Sequence, residues 1–373
     1  MIQPETEILL ELIRGGLWGT EVCLSDYGDI DYSSVMSLAE EQSVVGLVTS
    51  GFDCVKDVKV PQQWSLQFIG QTLQIEQRNK AMNAFIASLI EKMRTVGIYT
   101  LLVKGQGIAQ CYEKPLWRAC GDVDLFLSEE NYVKAKELLV PLASSVEEEY
   151  EREKHLGMTI DGWVVELHGH LYSGLSSRVE KELDRLQEDT FYGGQVRSWM
   201  NGGTQVFLLK AENDAFYVFT HILQHFYKEG VGLRQICDWC RLLYTYKDSL
   251  NYGLLEQRIK RAGLMSEWKA FYNLASRYLG MPDVVNGSWL MVKDSRFDKK
   301  ADRIMEFVMM SGNFGHNRDM SHFSKYPYLI RKCVSMGRRV GDLINHARIF
   351  PLDSLRFSFA IMNNGVRSAM RGE

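Results

Sequence analysis

The spacing of apolar positions changes twice along the chain. Up to about residue 97 they recur every three or four residues, the repeat of a buried helix face. ILLELIRGGL near the start predicts one helix. Between Ser65 and Gly97, the positions Leu66, Ile69, Leu73, Ala81, Phe85, Leu89 and Met93 predict a long one. Pro61 precedes it, and Gly97 follows Arg94 as a stop signal. The pattern then shortens. IYTLLVKG is a β-leaning run, IAQCYE reads as a helix halted at Pro115, and GDVDLFL alternates as a strand does. NYVKAKELLVPLA predicts a helix ending near Pro141. VEEEYE and HLGMTIDGWVVELHGHL predict strands, with Asp161-Gly162 as a hairpin turn. From about Thr204 to Leu279 helical spacing returns, in VFLLKAENDAFYVFTHILQHFY, LRQICDWCRLLYTY and WKAFYNLASRYLG. The expected fold class is therefore α+β. A small mixed sheet over 97–200 lies between an N-terminal helical region (1–96) and a C-terminal helical domain (201–373).

Composition narrows the class without naming it. The 373 residues are 46% apolar and 24% charged, with a formal charge of −4, ordinary values for a folded chain and unlike a disordered or polycationic one. The first residues carry Glu5, Glu7 and Glu11 and no basic cluster, so a secretory leader is not expected. No apolar run approaches the roughly 18 residues of a membrane span. Seven scattered cysteines suit reduced thiols and a cytoplasmic setting. Cys237 and Cys240 have CxxC spacing on a helix-like segment, without a second such pair to complete a zinc site, and core packing is the expected reading. The tail from Lys325 to Glu373 holds nine Lys/Arg against three acids, a local balance of +6. Contact with nucleic acid and a solvated basic helix face both account for it.

The chemistry concentrates between Lys104 and His168. Asp122 and Asp124, two apart on a strand, project from one face while Val123, Leu125 and Leu127 project from the other. Two carboxylates about 4 Å apart repel by about 4 kcal/mol at an effective dielectric of 20. A divalent cation reverses that sign, and oxygen ligands suit magnesium; taken alone, the pair reads equally as two solvated acids at a strand end. Lys104-Gly105 stands where a strand gives way to a helix, a place where backbone N–H groups attract phosphate. In the strand Trp163–His168, Glu166 and His168 share a face above Val165 and Leu167, so a third carboxylate can return beside the first two.

In order, these are strand, KG, helix, Arg, GDxD strand, helix, and a strand carrying E-L-H. This resembles the DNA polymerase β-type nucleotidyltransferase superfamily, and within it the bacterial group of uncharacterised nucleotidyltransferases. The matching residues are Lys104, Gly105, Arg118, Gly121, Asp122, Asp124, Glu166 and His168. The likeness is strongest over 97–172 and continues loosely through HILQHF and LRQICDWCRLL. Gln106 stands where the wider superfamily has glycine or serine, and 16 residues separate Gly105 from Asp122. The resemblance implies transfer of a nucleoside monophosphate from an NTP such as ATP to an acceptor, which is a protein, RNA or small molecule, with release of pyrophosphate.

On that reading Asp122, Asp124 and Glu166 hold two Mg2+ ions, or Mn2+ in their place, and Glu166 is the ligand nearest the acceptor, with the acceptor's proton as a second task, taken directly or through water. Gly105, Gln106, Lys104 and His168 bind the nucleotide. Arg118 either reaches the phosphates or pairs with Asp122 or Glu113. His168 either orients Glu166 and touches substrate or is a buried, hydrogen-bonded histidine. No membrane partner is implied. His221 and His225, and likewise Arg234 and Asp238, are four apart on helices, the second pair reading as an ordinary helix ion pair; the resemblance also allows all four to line a base or acceptor pocket. A rival reading keeps the fold as a silent nucleotide- or partner-binding module, and a third uses the same acids for phosphohydrolysis.

Overall fold

A computed structural model describes residues 3–150, 154–228, 230–283, 292–313 and 341–357. The chain opens with helices α1 (Pro4–Trp18), α2 (Tyr32–Glu41), α3 (Val45–Phe52) and α4 (Gln62–Thr95). Asp31 caps α2 by accepting from the N–H groups of Ser33 and Ser34. The long helix expected between Ser65 and Gly97 is α4. It starts after Pro61 and ends as Gly97 takes a left-handed φ of +75°.

The sheet has strands β1 (Leu101–Val103), β2 (Asp122–Phe126), β3 (Ser145–Val146), β4 (His155–Ile160), β5 (Trp163–His168), β6 (Val196–Asn201) and β7 (Thr204–Leu209), in the spatial order β3-β4-β5-β2-β1-β7-β6. Two pairs are parallel, β2 with β5 and β1 with β7; the other pairs are antiparallel. The fold is therefore α+β with a mixed sheet. At the β4–β5 hairpin, Asp161 and Gly162 both have positive φ, 51° and 80°, as a two-residue primed turn requires.

Alternation along each strand gives the sheet two unlike faces. Leu102, Val123, Leu125, Met158, Ile160, Val165, Leu167, Val206 and Leu208 are buried with Met82, Ile86, Leu89 and Met93 of α4 and with Tyr132 and Leu139 of α6 (Glu129–Leu139). The opposite face places Leu101, Val103, Phe126 and Leu209 in a larger core. That core also holds α1 to α3 and the helices α7 (Ser177–Tyr192), α8 (Ala211–Lys228), α9 (Leu233–Thr245), α10 (Tyr252–Ala262), α11 (Met265–Tyr278) and α12 (Asp298–Ser311).

Some elements differ from expectation. The helical spacing read from Thr204 begins only at Ala211. VFLL belongs to β7, whose alternation was masked because both of its faces are covered by apolar layers. VEEEYE contributes the short β3 and an isolated bridge from Tyr150 to His155. IAQCYE yields only α5 (Gly105–Ala109) before turns lead to Pro115. The division at 96/97 falls in the turn after α4, and that at 200/201 falls within β6. Cys237 and Cys240 are fully buried in the larger core. Most of the basic tail lies outside the described residues; within them Arg356 donates to Ser176 Oγ and the Ala262 carbonyl. Among the described residues no helix is long and apolar enough to cross a membrane.

Candidate active site

Strand register brings the chemistry together. On parallel β2 and β5, Asp124 lies opposite Glu166. On β1 Val103 lies opposite Asp124, so Lys104, the next residue, emerges beside it. Lys104 Nζ is 2.7 Å from Asp124 Oδ1, and His168 Nε2 is 2.9 Å from the same oxygen. His168 Nε2 also lies 3.5 Å from Glu166 Oε2. From the antiparallel neighbour β4, His155 Nε2 lies 3.2 Å from that oxygen.

The backbone between β1 and α5 is shaped for a close approach. Lys104 has φ +57° and ψ −147°, a costly conformation for a residue with a side chain. Gly105 follows at φ +41°, where a Cβ would also stand 3.1 Å from Cys120 Sγ and 3.5 Å from the Asp122 carbonyl oxygen. The positive φ favours glycine, and a Cβ would in addition need Cys120 Sγ to give by a few tenths of an ångström. Helical hydrogen bonding begins at Ile108 N, which donates to the Lys104 carbonyl.

Charge dominates the electrostatics of this face. Asp124 is nearly inaccessible, and its negative charge, followed by burial, pushes the neighbouring Asp122 carboxyl upward; Glu166 adds to the effect, while Lys104 and Arg234 oppose it. Burial would raise Glu166 too, but hydrogen bonds from His155 and His168 outweigh it and hold that carboxyl well below its usual range. Burial acts to lower Lys104, yet Asp124 turns the balance upward. His168 is likewise raised against burial, through its bonds to Asp124 and Glu166.

Two predicted residues have other engagements. Gln106 is buried, and its Nε2 donates to Asn79 Oδ1 of α4 at 2.8 Å. Asn79 in turn donates to the carbonyls of Leu116 and Arg118, so this chain of bonds fixes the segment ahead of β2. Arg118 grips Asp238 of α9 with two parallel bonds, Nε to Oδ1 at 2.8 Å and Nη2 to Oδ2 at 2.6 Å. Its partner is therefore neither Asp122 nor Glu113. Tyr112 donates to Asp238 as well. Arg234, read as the helix partner of Asp238, donates to the Ala119 carbonyl.

Three contributors were not singled out as site residues from sequence. His155 joins through β4. From α8, Tyr217 and His221 are close enough to respond to Lys104 and Glu166. Burial pushes the Tyr217 hydroxyl up to about 12. Burial, then Lys104 and His225, keep His221 far down and neutral. His221 Nε2 lies 3.1 Å from His225 Nε2.

The donor set suits a divalent cation. Among the described residues Asp122 makes no hydrogen bond or ion pair through its carboxylate, although it is half-buried beside Asp124. Both contacts of Asp124 fall on Oδ1, so Oδ2 remains for a further ligand. One ligating atom each from His155, Glu166 and His168 lie within 4.8 Å of one another.

The mixed sheet thus gathers two aspartates, a glutamate and a lysine on one face. The model of the family described as "Uncharacterised nucleotidyltransferase" matches residues 28–280, more than half of the chain, and the chain belongs to that family. Membership supports transfer of a nucleoside monophosphate as the class of activity and implies an NTP as the class of substrate. Neither curated proteins nor solved structures give a match.

Proposed function

We propose that the chain catalyses metal-dependent transfer of a nucleoside monophosphate from an NTP to an acceptor, releasing pyrophosphate. The observation that carries this reading is the Asp124–Glu166 register on parallel strands, with Asp122, whose carboxylate makes no bond among the described residues, on the same face as Asp124. Asp122, Asp124 and Glu166 would hold magnesium, which when bound offsets the triphosphate charge and stabilises the entering and leaving oxygens. Lys104, now against Asp124, is placed to share its charge with the β- and γ-phosphates. The N–H groups of Gly105 and Gln106 precede the first helical bond and are suited to phosphate oxygens. Gln106 acts through its backbone, since its side chain belongs to Asn79. Arg118 acts by anchoring residues 118–121 to α9 rather than by touching phosphate.

Glu166 is better suited to binding a cation than to taking the acceptor's proton. A carboxylate held well below its usual range by two imidazoles is a weak base. His168 positions both acids, because its Nε2 is within reach of Asp124 and Glu166 together.

The test incubates the protein with each labelled NTP, magnesium and a cell lysate, and follows pyrophosphate release and the fate of the label. Release that vanishes in Asp122→Ala and Asp124→Ala, both still folded, supports the assignment; retained turnover in both overturns it. Nucleotide-dependent thermal stabilisation without release from any acceptor would mark a silent nucleotide-binding module instead.

A further inference from the structure

The third carboxylate of the site does not stand in an oxygen-only environment. Glu166 Oε2 has His155 Nε2 at 3.2 Å and His168 Nε2 at 3.5 Å. Ligands arranged tetrahedrally at 2.0–2.1 Å from zinc are roughly 3.3 Å apart; these two separations are close to two edges of such a polyhedron, and one ligating atom from each of the three residues lies within 4.8 Å of the others. We propose that His155, Glu166 and His168 form a site for a divalent transition ion of the zinc class, with Glu166 shared between it and the oxygen-only magnesium position of Asp122 and Asp124.

Three further features support the assignment. Imidazole nitrogen selects zinc-like ions, whereas magnesium demands oxygen. The ligands are fixed by the frame: His155 lies directly opposite His168 in the β4–β5 hairpin, and Glu166 is two residues before His168 on the same face. All three are partly accessible, with side-chain exposures of 24%, 28% and 12% for His155, Glu166 and His168. A fourth position can therefore admit water or substrate, as catalytic two-histidine, one-carboxylate sites do. Ion binding would replace the hydrogen bond from His168 to Asp124, and Lys104 keeps Asp124 Oδ1 paired when it does.

This inference deepens the metal-dependent reading through Glu166, but its test needs no nucleotide. The full chain, stripped with a chelator, is titrated with Co2+, whose visible bands report tetrahedral nitrogen–oxygen coordination, and the bound ion is then displaced with Zn2+. Wild type is expected to take one such ion. His155→Gln should weaken binding at least about tenfold, since even outer-shell changes cost that much, and Asp122→Asn should leave the bands in place. His168→Gln is the second ligand variant, and far-UV circular dichroism confirms that each variant is folded. Equal affinity in wild type and both histidine variants, or an affinity that follows Asp122 alone, overturns the proposal. Cobalt bands without pyrophosphate release would leave this site standing and the transferase reading refuted; release supported by magnesium with no cobalt bands would do the reverse.

Discussion

Asp122 and Asp124 sit two apart on one strand, and the structure compensates only one of them. Lys104 and His168 both bond Asp124, whereas Asp122 is raised by the charge beside it and by burial. Such an arrangement leaves an uncompensated carboxylate that weakens the metal-free fold. Replacing Asp122 with Asn keeps the shape and removes the repulsion. Without metal, the variant should therefore melt above wild type in a thermal-shift scan. Its pyrophosphate release should fall by about a hundredfold or more, the scale seen when one preorganised charge-stabilising group is lost. A variant that melts lower would show that Asp122 is a structural residue. Gly105 bears the opposite constraint. Gly105→Ala must hold a side chain at φ +41° and 3.1 Å from Cys120 Sγ. It should cost about 1–2 kcal/mol from the left-handed backbone alone, read as a lowered denaturation midpoint.

At the scale of elements, much of the site was legible because strands encode it with a period of two. Asp122, Asp124 and Phe126 face one way and Val123 and Leu125 the other, as alternation alone indicates. His155 was equally encoded. With Asp161-Gly162 as a two-residue turn, Ile160 pairs with Trp163, and counting outward sets His155 against His168. The signal was present but needed the turn type to fix the register. The partner of Arg118 was not legible, because Asp238 lies 120 residues away on a helix whose docking depends on the whole fold. This pair offers a sharp test. Both side chains are buried, at 7% and 4% exposure, so Asp238→Ala leaves a buried guanidinium uncompensated and should cost about 3–5 kcal/mol in a urea titration. The double change Arg118→Met with Asp238→Leu should recover most of that loss.

Helix α11 carries another buried carboxyl, Glu267, raised to about 8 by burial and then by Asp353. Tyr227 of α8 donates to it at 3.3 Å. Its folded-state value lies above the unfolded one, so its protonated form contributes stability that is full below about pH 4.5 and is lost as the pH rises through about 8. The total loss is on the order of 5 kcal/mol. Glu267→Gln stays neutral throughout, so melting temperatures measured across that interval should fall less steeply than those of wild type. Parallel slopes for the two proteins would mean that the folded state ionises Glu267 as readily as water does.

For the whole molecule, the sheet separates two cores, and the larger one joins the ends of the described chain. Trp18 donates to the Leu279 carbonyl at 2.6 Å and Arg241 to the Leu17 carbonyl at 2.6 Å. Gln42, fully buried, accepts from Leu233 N at 2.8 Å and donates to the Val308 carbonyl at 3.4 Å. Helical spacing announced the helices before residue 97 and after Ala211 separately, but it carries no information on which helices share a core. We propose that the two helical regions are one folding unit draped over the sheet face that bears Asp124 and Glu166. Two consequences follow from this proposal. A fragment of residues 97–200 lacks β7, the second neighbour of β1, and α4, the cover of Leu102 and Val123, so it should show no cooperative unfolding. In the full chain, Gln42→Ala strands the Leu233 N–H and should cost about 1–3 kcal/mol. Because the core is shared, the loss should shift the melting of near-UV signals from Trp239 and Trp268 together with the far-UV helix signal. A separate early transition confined to the N-terminal helices would instead establish two independent domains, and the wall that α8 presents to the site would then owe nothing to the first sixty residues.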